Sequence, residues 1–402
     1  MLKKAIKVLV LLFLLGTITA FAKGNTMTGL DVLLSNPSLL KGKRVGVITN
    51  PTGIDRNGQS IVDLFYQHKD INLIAIFAPE HGFRGDKDAG ANIGDAIDPK
   101  TKLPVYSLYG KTLKPTYDML SKVDVLVFDI QDIGARFYTY IYTMANAMEA
   151  CAEAGKEFMV LDRPNPLGGH KVAGPVLELA YASFVGKYPI TVTHGLTVGE
   201  LAELFNEQFF IGCKLTVVPM KNWQRGQWFD ETGLKWVNPS PNIRSLAAAT
   251  VYPGLCFLEG TNISEGRGTD TPFEIFGAPF INSDRLVKEL NALKLPGCRF
   301  EAAKFTPTTS KWEGKVCQGA MIIVTNREQF LPVETGLYII NTLYTLYPRD
   351  FAWNESHFDR LLGSNKPREV ITNKKSLGEL FASWQARQEW FLESRENYLL
   401  YK

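Results

Sequence analysis

Close cysteine pairs are missing from this sequence. Its five cysteines lie at 151, 213, 256, 298 and 317 in a chain of 402 residues. That spacing argues against a zinc ribbon or a disulfide framework, leaves one or two bridges open, and predicts that most of the thiols are buried small apolar groups. Histidine is as sparse, with five scattered residues and no H-E-x-x-H, so a catalytic metal is not expected. No G-x-G-x-x-G follows the first predicted strand and no Walker A sequence occurs, which removes the usual basis for a dinucleotide or nucleoside triphosphate. No G-x-S-x-G supports a serine nucleophile, and no cysteine has the context of one. The expectation is therefore an enzyme or binding protein with no cofactor.

A long apolar run is also absent beyond the amino terminus, where a membrane helix would need roughly 18 residues. Residues 1–22 carry Lys3, Lys4 and Lys7, an apolar stretch from Val8 to Leu15, and Ala20-Phe21-Ala22. These are the three regions of a secretory signal peptide, so the mature chain is expected to begin near Lys23, soluble and either periplasmic or extracellular. Removing that segment takes away three lysines and no acid, so 44 basic residues become 41 against 41 acidic ones. With no net charge left, neither a nucleic acid nor an anionic membrane is an expected partner.

What is present is an alternation of short apolar runs with helical patterns, the signature of a parallel sheet covered by helices. Strands are expected at Arg44 to Thr49, Asn72 to Phe77, Val123 to Asp129 and Phe158 to Asp162. A packing helix is expected over Tyr138 to Ala154, stopped by Gly155, and another opens at Thr197, whose hydroxyl can cap it while Glu200 reaches back. After about residue 282 the order becomes helix (Ser283 to Leu293), strand (Arg299 to Lys304), strand (Ala320 to Thr325), helix (from Pro332 toward Tyr347), then a capped amphipathic stretch from Ser376. The fold expected is α/β: a Rossmann-like, mainly parallel sheet domain over residues 23–282, with a smaller C-terminal α+β domain over 283–402.

Polar loops follow the predicted strands and carry Asn50, then Glu80-His81 and Arg84, then Asp132 and Arg136, then Arg163 and Asn165. Ligands bind outside the carboxyl ends of the strands in open α/β sheets, so these loops are expected to line one crevice. Glu80 sits behind Pro79, with Phe83 near enough to lower the local polarity, and a partly desolvated carboxyl group there suits a general acid. A loop salt bridge between Glu80 and Arg84 is the competing reading.

A second polar cluster runs from Leu258 to Glu274 and includes Asn262, Glu265, Arg267 and Asp270. Its carboxylates, hydroxyls and glycines suit a polyol or sugar, or else a long solvated loop held by its own turns. Arg84, Arg136, Arg163, Arg244 and Arg267 all fall in polar loop segments. Each can be a structural ion pair; together they suggest an anionic group on the ligand. Of the histidines, only His81 and His194 are placed as site members.

The segments Pro79 to Gly85, Phe128 to Tyr140, Asp162 to Gly169, His194 to Glu200, Asn238 to Ser245 and Glu259 to Pro279 resemble the signature blocks of the exo-acting β-N-acetylmuramidases typified by NamZ. The resemblance runs over nearly the whole mature chain. It implies release of N-acetylmuramic acid from the non-reducing ends of peptidoglycan fragments, and it draws Asn242 into the substrate set. The lactyl carboxylate of that sugar would give loop arginines a partner, Arg84 and Arg267 first. Glu80 is then the expected acid, with Glu265 and Asp270 competing for the second carboxylate role; a 2-acetamido sugar can also supply its own nucleophile. Two alternatives stand beside this reading: another wall-sugar hydrolase, an esterase or deacetylase, and a peptidoglycan-fragment binding protein without catalysis.

Overall fold

The computed structural model describes residues 24–80, 82–83 and 96–402. The expected signal segment lies outside them. Strands β1 (Arg44–Thr49), β2 (Asn72–Ala78), β5 (Val125–Asp129) and β6 (Glu157–Leu161) form where buried β-branched and aromatic runs were read. They are joined by β3 (Ala96–Ile97), β4 (Pro104–Ser107) and β7 (Lys214–Val218). Among the described residues these seven strands make one sheet in the order β3-β4-β2-β1-β5-β6-β7. Every pairing in it is parallel except β3 with β4. Strand order therefore reverses between β1 and β5, the place where loops on the carboxyl edge diverge and leave a crevice.

Helices cover both faces. On one lie α1 (Gly29–Ser35) and α2 (Ile61–Gln67), whose Leu30, Leu33, Ile61, Val62 and Phe65 pack with Val45, Val47 and Val127. On the other lie α4 (Tyr140–Ala154) and α5 (Val198–Gln208), which follow the short α3 (Tyr117–Leu120). Gly155 ends α4 in a left-handed conformation, as read from sequence. Thr197 and Glu200 form the expected capping box.

The second, smaller unit contains α6 (Leu246–Leu255), β8 (Ile275–Ala278), α7 (Ser283–Ala292), β9 (Cys298–Phe305), β10 (Cys317–Val324) and α8 (Pro332–Leu346). Three described strands form an antiparallel sheet in the order β8-β10-β9. A carboxyl-terminal set completes it: α9 (Glu355–Leu362), α10 (Lys366–Thr372), α11 (Leu377–Ala382) and α12 (Gln385–Glu396). Because β8 pairs with β10, the sequence division at 282/283 falls inside this sheet. One apolar cluster runs through both units, from Phe128 and Phe158 of the large sheet to Phe276, Ile340 and Phe391 of the smaller unit. All five cysteines are unpaired and four of them are buried. Among the described residues no helix is long and apolar enough to cross a membrane.

Candidate active site

A cavity of about 280 Å³ opens at the carboxyl edge of the large sheet. Its first wall is built by the loops after β2 and β5. Pro79 and Glu80 follow β2 directly, and the Leu108 N–H donates to the Ala78 carbonyl at 2.8 Å, which seats Tyr109 beside Glu80. The Tyr109 hydroxyl bonds to the Glu80 carboxylate; burial and that charge push Tyr109 up to about 12, so it remains a protonated donor. Thr139 occupies the position before α4 yet makes no side-chain cap. Its hydroxyl instead donates to Glu80 Oε2 at 3.2 Å. Tyr138 and Tyr140 lie edge to face at 5.1 Å, and the Tyr140 hydroxyl donates to the Pro239 carbonyl at 2.6 Å, bringing in the segment of Ser240 and Ile243.

The other lining comes from the smaller unit. Gly266 has φ +80°, and a Cβ there would meet the Ile275 carbonyl oxygen at 2.5 Å, so only glycine allows the turn that presents Arg267. Arg267 donates through Nη2 to Glu259 Oε1 at 2.6 Å and lies with Nε 3.2 Å from Glu265 Oε1. Its guanidinium stacks 5.1 Å over Phe273, a non-glycine residue held at φ 67°. Such a left-handed conformation costs of order 1–2 kcal/mol and persists where surrounding contacts enforce it, as at binding sites. His357 on α9 places Nε2 3.4 Å from Glu259 Oε2. Burial alone would push the Glu259 carboxyl up; its contact with His357 and its pairing with Arg267 outweigh that and hold it down at about 2. The cavity thus sets Glu80, amid neutral hydroxyls, in one enclosure with Glu259, an ionised carboxylate fixed by two cationic or donor groups. Phe137, Phe184, Val185 and Leu361 supply its apolar surface.

The residues read from sequence divide sharply. Glu80 and Arg267 line the cavity, and Glu265 stands behind Arg267, where Lys311 Nζ also donates to it at 3.0 Å. Asn242, Arg244 and Asp270 line an adjoining groove that shares Arg267. His81 and Arg84 lie outside the described residues. The remaining side chains are turned into the protein. Asn50 accepts from the Thr52 N–H at 2.9 Å, and the Asp132 carboxylate accepts from the Gly134 N–H at 2.7 Å. Arg136 is fully buried and donates to the carbonyls of Pro175, Ile190 and Leu361. Arg163 makes a two-pronged pair with Asp129 at 2.5 and 2.9 Å. Asn165 donates to the Leu196 carbonyl at 3.0 Å, and His194 Nδ1 accepts from the Leu196 N–H at 3.1 Å while its Nε2 faces Asp132 at 3.3 Å. Asn262 bonds to the backbone of Asp350 and Ala352. These groups brace the loops, and none of them lines the cavity. Phe83 likewise packs on the α1 and α2 side of the sheet.

Sequence reasoning did not single out Glu259, although it lies in the polar cluster, nor the aromatic run Phe137 to Tyr140, which directly follows the loop of β5. His357 carried no local signal; only the packing of α9 brings it to Glu259.

Family models match both parts of the chain: "Exo-beta-N-acetylmuramidase NamZ, N-terminal" over residues 45–247 and "Exo-beta-N-acetylmuramidase NamZ, C-terminal" over residues 250–401. The chain is 52% identical over 403 residues to the peptidoglycan beta-N-acetylmuramidase NamZ of Bacillus subtilis (strain 168), covering 97% of each. Two crystal structures of DUF1343 family proteins from Bacteroides fragilis share the fold. One has a TM-score of 0.88 at 40% identity, the other 0.77 at 32%, and each comparison covers 94% of this chain and 99% of the other. Carried by matches to both halves and by a relative identical at half of all positions, the chain belongs to the NamZ family of exo-β-N-acetylmuramidases.

Proposed function

We propose that this protein is an exo-acting glycoside hydrolase that releases N-acetylmuramic acid from the non-reducing end of peptidoglycan fragments, with Glu80 as general acid. The observation that carries the reading is the small cavity with two carboxylates in unlike surroundings. Its volume of about 280 Å³ suits a single sugar unit, and it holds Glu80 amid hydroxyl donors together with Glu259 fixed as an anion. A glycosidase needs one group to protonate the departing oxygen and a negative charge to meet the positive charge that develops at the anomeric carbon. Glu80 takes the first role. Glu259 replaces Glu265 and Asp270 in the second, because Glu265 is buried behind Arg267 while the Asp270 side chain is fully exposed in the groove.

Arg267 is the proposed partner of the lactyl carboxylate. It already shares its charge with Glu259 and Glu265, so its contribution is a directed N–H rather than an uncompensated cation. The export signal read in residues 1–22 would deliver the enzyme to the periplasm or the exterior, where wall fragments occur. Aryl glycosides of N-acetylmuramic acid and N-acetylglucosamine test the reading: the muramic glycoside should have the larger specificity constant by at least about tenfold. Equal constants would remove the lactyl group from recognition, and binding of muramyl fragments without turnover of either glycoside would favour a receptor.

A further inference from the structure

Beside the cavity lies a groove of about 800 Å³, and Arg267 lines both. The groove is built by two loops set back to back. The Thr308 N–H and hydroxyl donate to the Gly268 carbonyl at 3.0 and 2.9 Å, and a Cβ on Gly268, whose φ is +76°, would fall 2.5 Å from the Thr309 nitrogen. Thr269 is fixed in turn, its hydroxyl donating to the Gly266 carbonyl at 2.6 Å. The surface so held is rich in hydroxyls, with Thr306, Thr309 and Ser310 exposed on it, one aromatic ring from Phe305, and the amide of Asn242. Of its charges, Arg244 faces Asp270 at 3.6 Å, and Arg267 is paired with Glu259 and Glu265 on the cavity side, so each has an opposite partner. Hydroxyls, an amide and one ring without net charge match a neutral saccharide better than a peptide bearing carboxylates.

We infer that this groove binds the leaving part of the substrate, beginning with the neutral amino-sugar unit on the reducing side of the cleaved bond. The inference rests on the activity proposed above. A cavity sized for one sugar leaves the rest of the chain to emerge past Arg267, and the groove begins there. Its volume exceeds that of the cavity nearly threefold, so more than one sugar unit fits. Binding energy from these remote units then goes into orienting the scissile bond at Glu80.

The test compares the wild type with two variants, Thr306→Trp, which fills the groove, and Thr309→Ala, which removes a hydroxyl without adding bulk. Both sites are exposed, and thermal melting checks that each variant folds. The substrates are a peptide-free wall tetrasaccharide ending in N-acetylmuramic acid and an aryl glycoside of that sugar. Thr306→Trp should lower the specificity constant for the tetrasaccharide at least about tenfold and leave the aryl glycoside within about twofold; Thr309→Ala should act in the same direction, more weakly. Equal losses on both substrates, or none on either, would overturn the inference, as would a loss seen only on peptide-bearing fragments. If the wild type cleaves neither substrate, the proposed activity fails instead. Direct titration of the tetrasaccharide then decides on the groove: tenfold weaker binding to Thr306→Trp supports it and equal binding refutes it.

Discussion

Glu80 keeps its place through two hydroxyl groups, Thr139 from the start of α4 and Tyr109 from the loop after β4. Glu80→Gln retains these contacts and removes the transferable proton. Turnover of the natural disaccharide should fall by at least about a hundredfold with KM little changed, and an aryl glycoside with a good leaving group should suffer less, because its departing oxygen needs less protonation. Steady-state kinetics on both substrates checks this; near-normal turnover of the disaccharide would remove Glu80 from the reaction. The place of Glu80 in the cavity was legible because a carboxylate close behind a buried strand, preceded by Pro79 and two residues before Gly82, points to the carboxyl edge of the sheet. Glu259 was not, since four carboxylates share its segment and only Arg267 and His357, reached through tertiary packing, mark it out.

The strands and loops show why polar residues at strand ends are easily misread. Strands β1, β2, β5 and β6 are continuous buried runs and declare themselves. Strand β8 is only four residues inside a polar segment, and β4 begins with a proline, so neither has a period long enough to read. Helix α6, not expected from sequence, contains Pro253 and Gly254; a Cβ on Gly254 would sit 1.9 Å from the Pro332 carbonyl oxygen, so the packing of α8 requires glycine there. Arg136 follows the same logic. It clips together the segments of Pro175, Ile190 and Leu361, none near it in sequence, so its partners are invisible until the chain is folded. Arg136→Met should leave those carbonyls without donors and cost about 3 kcal/mol or more of stability, read as a drop in denaturation midpoint. A variant of normal stability with a raised KM would return Arg136 to the substrate.

Across the whole molecule, the carboxyl terminus is tied back to the large sheet. Tyr401 donates to Asp162 Oδ2 at 2.5 Å just past β6, and the Leu400 N–H donates to Glu200 at 2.9 Å. Burial pushes Asp162 up to about 7, against the pull of the Tyr401 hydroxyl and the Gly199 amide. The native state therefore holds this proton more tightly than the unfolded chain. The associated stability is present below about pH 4 and is lost as pH rises through about 7. Asp162→Asn can keep its amide acceptor role toward Gly199 and donate to hydroxyls, so the melting temperature of this variant should vary less between pH 4 and 7 than that of the wild type; an unchanged slope would assign the effect elsewhere.

A one-sugar cavity of about 280 Å³ opening on a larger groove of about 800 Å³ suits attack from a chain end. Mass spectrometry of the products from a defined peptide-free tetrasaccharide with N-acetylmuramic acid at its non-reducing end measures this directly. Free N-acetylmuramic acid and the matching trisaccharide are expected as the first products, both lost in Glu80→Gln. Disaccharides as the first products, or release of a sugar from the reducing end, would contradict it.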